Sequence, residues 1–282
     1  MKREVWATAA YALAILFALF LLYLGMRPGG RGPILAWQYG LQVLPFLAFV
    51  LVVAGAITAI RRKPFLRPGR KLPFLLLLLL VGAGGIELPY PSSHEGHESA
   101  ICFRLPFATP KDGEWTVFWG GETRDESLLA AYTASRRYGL DLVVAKDGST
   151  TRDGRSLVVG EDVLAPCDGE VVRAGRTVVL RVADAEYLFL GNVDPVLVAL
   201  GQRLKRGDEI GSVARDGASR YTPEPHLEIH LQDTPEEGTG EPIPWRFCGY
   251  VADGKVIEKG LPRGGIGPQG ELRGQRIAPR GS

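Results

Sequence analysis

Few residues in this 282-residue chain can do chemistry, and they are easily counted: four His (His94, His97, His226, His230) and three Cys. The most concentrated signal is Pro225-His226-Leu227-Glu228-Ile229-His230. Read as a strand, it alternates, with His226, Glu228 and His230 on one face and Leu227, Ile229 and Leu231 turned to a core. Heads at this spacing can share a metal. They can equally form a hydrogen-bonded set in which Glu228 raises the pKa of both imidazoles. His94 and His97 form a second pair, but in the stretch PSSHEGHES. Its Pro, Ser and Gly content without an apolar period predicts a solvated linker, which offers a metal no outer hydrogen-bonding shell. No C-x-x-C spacing marks a zinc or redox site, and three cysteines cannot form a disulfide framework. An oxidising compartment would permit a bridge between Cys102 and Cys248, at a distance the sequence leaves open. Cys167, between a Pro and a Gly turn, reads as a small buried residue.

Two chemically different halves must position these groups. Residues 1–90 hold ten Lys/Arg against two acids, a net of +8. The remaining 23 of 33 basic and 29 of 31 acidic residues leave 91–282 at −6. An acidic folded half excludes a nucleic-acid binder, and no glycine-rich phosphate loop opens a helix, which excludes nucleotide use. Apolar runs at 5–26, 34–60 and 73–90 predict about three membrane-spanning helices, the third short enough to need help from its neighbours. Six positive charges in RRKPFLRPGRK, between the second and third runs, join Lys2 and Arg3 in placing the N-terminus in the cytoplasm. Three spans then carry residues 91–282 out of the cytoplasm, across a linker at 91–100.

From Ile101 onward, runs such as WTVFWGG, LDLVVA, TVVLRVA and HLEIHLQ recur every 8–12 residues with turn signals between them. That is the pattern of an all-β sandwich or barrel. One helix is predicted at 125–137 with Asp125 as its N-cap. The Gly- and Arg-rich stretch 263–282 reads as a flexible tail. Trp115, Trp119 and Trp245 could form a stacking surface, with core packing expected for at least two of them.

Four pieces in order carry a family resemblance: Tyr138-Gly139-Leu140-Asp141, LAPCDGEVV at 164–172, ALGQRLKRGDEIG at 199–211, and Pro225-His226-Leu227-Glu228-Ile229-His230. Together they resemble the lysostaphin-type zinc metalloendopeptidases, which cleave peptide cross-links of bacterial cell walls. The resemblance implies a duplicated-hybrid-motif β sandwich over 101–262. The two middle pieces read as adjacent tight turns, with Gly169 and Gly207 expected to supply backbone angles that a side chain resists. Carrier domains share this two-turn pattern, but no Lys sits in a hairpin between the halves to be modified.

The family's zinc ligands are an upstream His, an Asp and the second His of an H-x-H pair. The resemblance places the Asp at Asp141 and the first H-x-H histidine, which assists catalysis, at His226. The second falls on Glu228. The upstream His falls on Arg137, or on Ala130 in some relatives, and a further assisting His falls near Leu190. Two of five positions keep their residue type. Two carboxylates, where the family has one, make a bound water less acidic, so the expectation is no catalytic metal. The alternative is a zinc held by Asp141, Glu228 and His230, one step along the strand from the family's site. The resulting expectation is a membrane-anchored extracytoplasmic domain that does not catalyse. It binds a cell-wall peptide or an envelope protein in a groove floored by Asp141, His226, Glu228 and His230. Two other readings stand beside it: an active zinc endopeptidase with substituted ligands and His226 in catalysis, and a structural subunit of a membrane assembly.

Overall fold

The structure is a computed structural model that describes residues 5–26, 31–61, 68–83, 97–121, 126–127, 129, 134–217, 219 and 222–281. It divides into two compact units, Met1–Glu95 and Gly96–Ser282. The first unit contains helices α1 (Val5–Gly25), α2 (Arg31–Arg61) and α3 (Pro68–Gly82). Trp6, Ala10, Leu13, Phe17, Ala48, Leu77 and Leu80 form its buried core. The outward faces stay apolar: Ile15, Leu19, Leu22, Phe46 and Leu79 are each more than half exposed. Two stretches, Val5–Leu24 and Tyr39–Thr58, are long and apolar enough to cross a membrane. The third helix is 15 residues long, about 22 Å at the helical rise and short of a bilayer core of about 30 Å. Residues 84–90 of the expected third span lie outside the described residues.

The second unit is β-rich. In chain order its strands are β1 (Cys102–Phe103), β2 (Glu114–Trp119), β3 (Leu140–Ala145), β4 (Thr151–Arg152), β5 (Arg155–Ser156), β6 (Asp162–Leu164), β7 (Gly169–Arg173) and β8 (Thr177–Ala183). They continue as β9 (Glu186–Gly191), β10 (Val193–Val196), β11 (Arg203–Leu204), β12 (Glu209–Val213), β13 (Leu227–Gln232), β14 (Arg246–Ala252), β15 (Lys255–Gly260) and β16 (Arg276–Pro279). An 11-stranded sheet runs β1-β14-β16-β2-β3-β13-β9-β8-β7-β11, with β15 on β14. Strands β10, β12 and β6 form a small sheet of three. β13 is central, antiparallel to both β3 and β9. Its apolar side chains enter one large core with Leu140, Leu142, Leu188, Leu190 and Trp245.

Several expectations change here. The 263–282 stretch is no loose tail: β16 lies between β14 and β2 inside the large sheet, and Ile277 is buried. Its glycines serve close backbone approach. A Cβ at Gly264 would lie 2.6 Å from the Gly120 nitrogen, and Gly264 N–H donates to the Gly120 carbonyl at 2.8 Å. The end of the expected linker is also tied down. Ser99 is buried, donates to Glu186 Oε2 at 2.6 Å and takes a backbone bond from its own N–H to Pro244. His97 Nε2 meets the other Glu186 oxygen at 2.9 Å; His94 lies outside the described residues. Six of the 13 residues of the predicted 125–137 helix, Asp125 among them, also lie outside them, and Ala134–Arg136 forms a single 3₁₀ turn. Gly207 has the left-handed angle expected of it, φ 91°. Gly169 is needed for space instead, since a Cβ there would sit 3.1 Å from the Arg181 carbonyl oxygen.

Cys102 and Cys248 are disulfide-bonded across a Cα separation of 5.6 Å. Cys167 is a buried free thiol whose pKa is pushed up to about 12, by burial first and then by Asp168 and Glu186. Trp115, Trp119 and Trp245 are all buried. Packing, not surface stacking, therefore accounts for all three.

Candidate functional site

Sheet register brings the site together. Asp141 on β3 and Glu228 on β13 are direct antiparallel partners, and Glu228 also faces Gly191 on β9. A Cβ at Gly191 would meet the Glu228 Cβ at 3.2 Å, so glycine there leaves room for the carboxylate. His226 immediately precedes β13 and reaches back over the same place. One ligand atom from each of Asp141, His226 and Glu228 lies within 4.8 Å of the others.

His226 is oriented by its surroundings. Its Nδ1 lies 2.8 Å from the Glu224 carbonyl, which can only accept, so Nδ1 carries the proton. Nε2 is then left with a lone pair, facing Asn192 Nδ2 at 3.2 Å and Asp141 Oδ2 at 3.6 Å. Asn192 holds φ 65°, a left-handed angle that Asn tolerates better than most residues. The Thr222 hydroxyl donates a short hydrogen bond to Asp141 Oδ2. Thr222 is fixed in turn by Ser219, whose Oγ accepts its N–H at 3.0 Å. Asp141 Oδ1 is buried and meets no donor among the described residues.

Glu228 is held from the other side. Arg136 Nε lies 3.0 Å from Glu228 Oε1. His230 Nδ1 lies 3.2 Å from the same oxygen, but out of line for a full hydrogen bond. His230 stacks on Phe189, with ring centroids 4.5 Å apart and planes 14° apart. Arg136 continues outward to Glu237 at 3.3 Å, and Arg173 reaches Glu237 at 3.8 Å. Arg137, with Ala130 one of two expected places for an upstream ligand, is wholly buried, with a guanidinium nitrogen 3.5 Å from Glu241.

The expected groove floor is therefore not open. Asp141, His226 and His230 are each 1% exposed and Glu228 8%. β13 is buried on both faces because the 134–139 segment lies across its polar side: the space a Cβ would take at Gly139 is 3.5 Å from the His230 Cβ. The metal-capable trio contains His226, whereas His230 lies against the Glu228 oxygen already taken by Arg136. Sequence reasoning missed Arg136, Thr222 and Asn192. Only the Arg136-Arg137 pair next to Tyr138-Gly139 could have signalled any of them.

The two acids respond oppositely to this setting. Burial, reinforced by the charge of Glu228, raises the Asp141 pKa above the ordinary carboxylate range despite His226, Thr222 and Arg136. Burial also pushes Glu228 upward, but its contact with His230 and the charges of His230, Arg136 and His226 outweigh it, and its pKa falls. The folded state thus holds the Asp141 proton more tightly than the unfolded chain does. Its contribution is full below about pH 4 and is lost as pH rises through the folded pKa. Asp141→Asn mimics the protonated acid and is expected to stabilise the fold at pH 7, with the gain shrinking toward pH 3. Glu228 behaves conversely: its contribution is present above its ordinary pKa and lost as pH falls through the lowered one. Denaturant midpoints of the full chain between pH 3 and 7 check this. A destabilised Asn variant at pH 7 would contradict it.

The residues present do not fit a zinc hydrolase. The separation of His226 Nε2 and Asp141 Oδ2 suits two ligands of one ion, given zinc bonds of about 2.0–2.2 Å. The third donor residue, Glu228, is already in an ion pair with a guanidinium through Oε1. One imidazole and two carboxylates, one of them neutralised, form a poor site for activating water.

Residues 155–241 match the model of Peptidase family M23. Among solved structures, the chain is similar to pseudoalterin, described as a novel M23 metalloprotease from the deep sea, at 13% identity and a TM-score of 0.38, covering 64% of this chain and all of that one. A zinc-containing peptidase from Vibrio cholerae is 18% identical, with a TM-score of 0.31, covering 46% of this chain and 36% of that one. The catalytic domain of lysostaphin from Staphylococcus simulans is 19% identical, with a TM-score of 0.29, covering 37% and 73%. Likenesses this distant carry no chemistry across. No curated protein matches.

Proposed function

We infer that this chain, which carries a Peptidase family M23 domain over residues 155–241, is a membrane-anchored, extracytoplasmic binding protein rather than a hydrolase. The observation that carries this reading is the Arg136–Glu228 ion pair at 3.0 Å. A permanent cation stands beside the residue at the family's third ligand position. The resemblance would put an Arg, Arg137, at an upstream ligand position as well, while the β-rich domain is kept.

The ligand is a cell-wall peptide or an envelope protein. Asp141, His226, Glu228 and His230 underlie the contact surface. Its accessible part is the rim formed by Arg136, Glu237 and Arg173, whose side chains are 23%, 43% and 40% exposed.

Two features support the location. The helical unit turns apolar side chains outward on all three helices, as a bilayer-facing surface does. A Cys102–Cys248 bridge requires an oxidising compartment. With the N-terminus held inside by Lys2, Arg3 and the six charges at 61–71, an odd number of crossings delivers the β unit there. The third crossing is then the apolar run 73–90.

The test is zinc content by elemental analysis of the full chain in detergent, purified without added metal, alongside assays on cell-wall peptides. Zinc far below one ion per chain and no cleavage are expected. Near-stoichiometric zinc lost in Glu228→Ala, together with cleavage, would sink the reading. It would favour an active endopeptidase using Asp141, His226 and Glu228, the one alternative the geometry supports.

A further inference from the structure

We propose that Arg136 is the resident cation of this site, and that its guanidinium keeps a divalent-cation site closed. The proposal rests on the non-catalytic reading above and specifies its cause. Three observations converge. His226 is already set as a metal ligand: its Nδ1 proton is committed to the Glu224 carbonyl at 2.8 Å, leaving Nε2 3.6 Å from Asp141 Oδ2. Asp141 Oδ1 is buried without a donor among the described residues, an arrangement a cation would relieve. The remaining donor residue, Glu228, has its Oε1 in an ion pair with Arg136 at 3.0 Å and beside the poorly aligned His230.

Charge points the same way. Two buried carboxylates balance one divalent cation. With Arg136 present, they are partly neutralised before any metal arrives, and its charge reaches Asp141 as well as Glu228. A metal entering the present site would face the guanidinium at close range in a desolvated setting. Arg136 is no loose surface residue, either. Its carbonyl accepts the Gly139 N–H at 2.9 Å, and Glu237 holds its other end at 3.3 Å. The guanidinium is thus clamped from within by Glu228 and from without by Glu237, which itself meets Arg173.

The experiment titrates zinc chloride alone into the full chain in detergent, by calorimetry, with cobalt(II) visible absorption as a second readout of coordination. Arg136→Ala is expected to bind one ion roughly 10–100-fold more tightly than the parent, the scale on which neighbours of a metal site act. Arg136→Lys keeps the charge and is expected to gain nothing. Adding Glu228→Ala to Arg136→Ala is expected to abolish the gain. Arg136→Gln serves if the alanine variant fails to fold, as judged by its denaturation midpoint. A folded Arg136→Ala or Arg136→Gln that binds zinc no better than the parent overturns the proposal while leaving the non-catalytic reading intact. A parent chain that binds one zinc tightly overturns both.

Discussion

Removing the Cys102–Cys248 bridge, by reduction or by replacing both residues with Ser, is expected to lower the stability of the β unit by about 5 kcal/mol, the loop-entropy value for so long a closure. The bridge joins positions 146 residues apart. It also closes the fold at one edge. β1 is two residues long and pairs in parallel with β14, Cys102 opposite Arg246 and Phe103 opposite Phe247. Those two pairs alone are a weak hold. Behind them Phe103 packs edge-on to Trp245, which packs edge-on to Phe247, so a freed β1 would disturb the aromatic centre of the core. Trp245 also donates to the Tyr138 carbonyl at 3.0 Å, two residues from Arg136. The loss should therefore appear in global stability and in the order of the site segment. Denaturant unfolding with and without reductant, and amide exchange over residues 134–141, measure both. An unchanged midpoint under full reduction would remove the bridge from the account. It would also weaken the argument from the bridge to an oxidising compartment.

What was legible in the sequence is what local chemistry dictates. The turn pieces at 164–172 and 199–211 announce themselves because only certain residues take those backbone paths. The alternation from His226 to His230 places three polar heads on one face because a strand has a period of two. Neither pattern says what covers that face. Arg136 meets Glu228 only after a 3₁₀ turn, a left-handed Tyr138 at φ 63° and the β3–β13 register are all in place, and no spacing in the chain encodes that meeting. The Thr222–Asp141 bond spans 81 positions and is equally silent. The C-terminal strand was hidden for another reason. Its composition is that of a disordered tail, yet glycine here allows strand and loop backbones to touch, and one buried side chain, Ile277, is enough to seat β16 between its neighbours.

Arg137→Ala is expected to cost about 3–5 kcal/mol, in the range for breaking a buried ion pair or emptying a large core position. Arg137 is among the largest wholly buried side chains of the described residues, and its guanidinium faces Glu241 at 3.5 Å. Glu241 N–H is itself bonded to Asp233 Oδ1 at 2.8 Å, so the pair anchors the loop that also carries Glu237. Two further variants separate charge from volume. Arg137→Met keeps most of the volume and should cost clearly less than Ala if packing dominates. If it costs as much, the ion pair with Glu241 is the larger part. Arg137→His introduces an imidazole at one of the two positions where the sequence resemblance would put an upstream ligand. It should nevertheless be destabilised and bring in no zinc by itself, because Glu228 remains paired with Arg136. Tight zinc binding by that single variant would show that the upstream position alone had silenced the site. The division of labour between the two arginines, one holding the fold and the other filling the cation's place, would then be wrong.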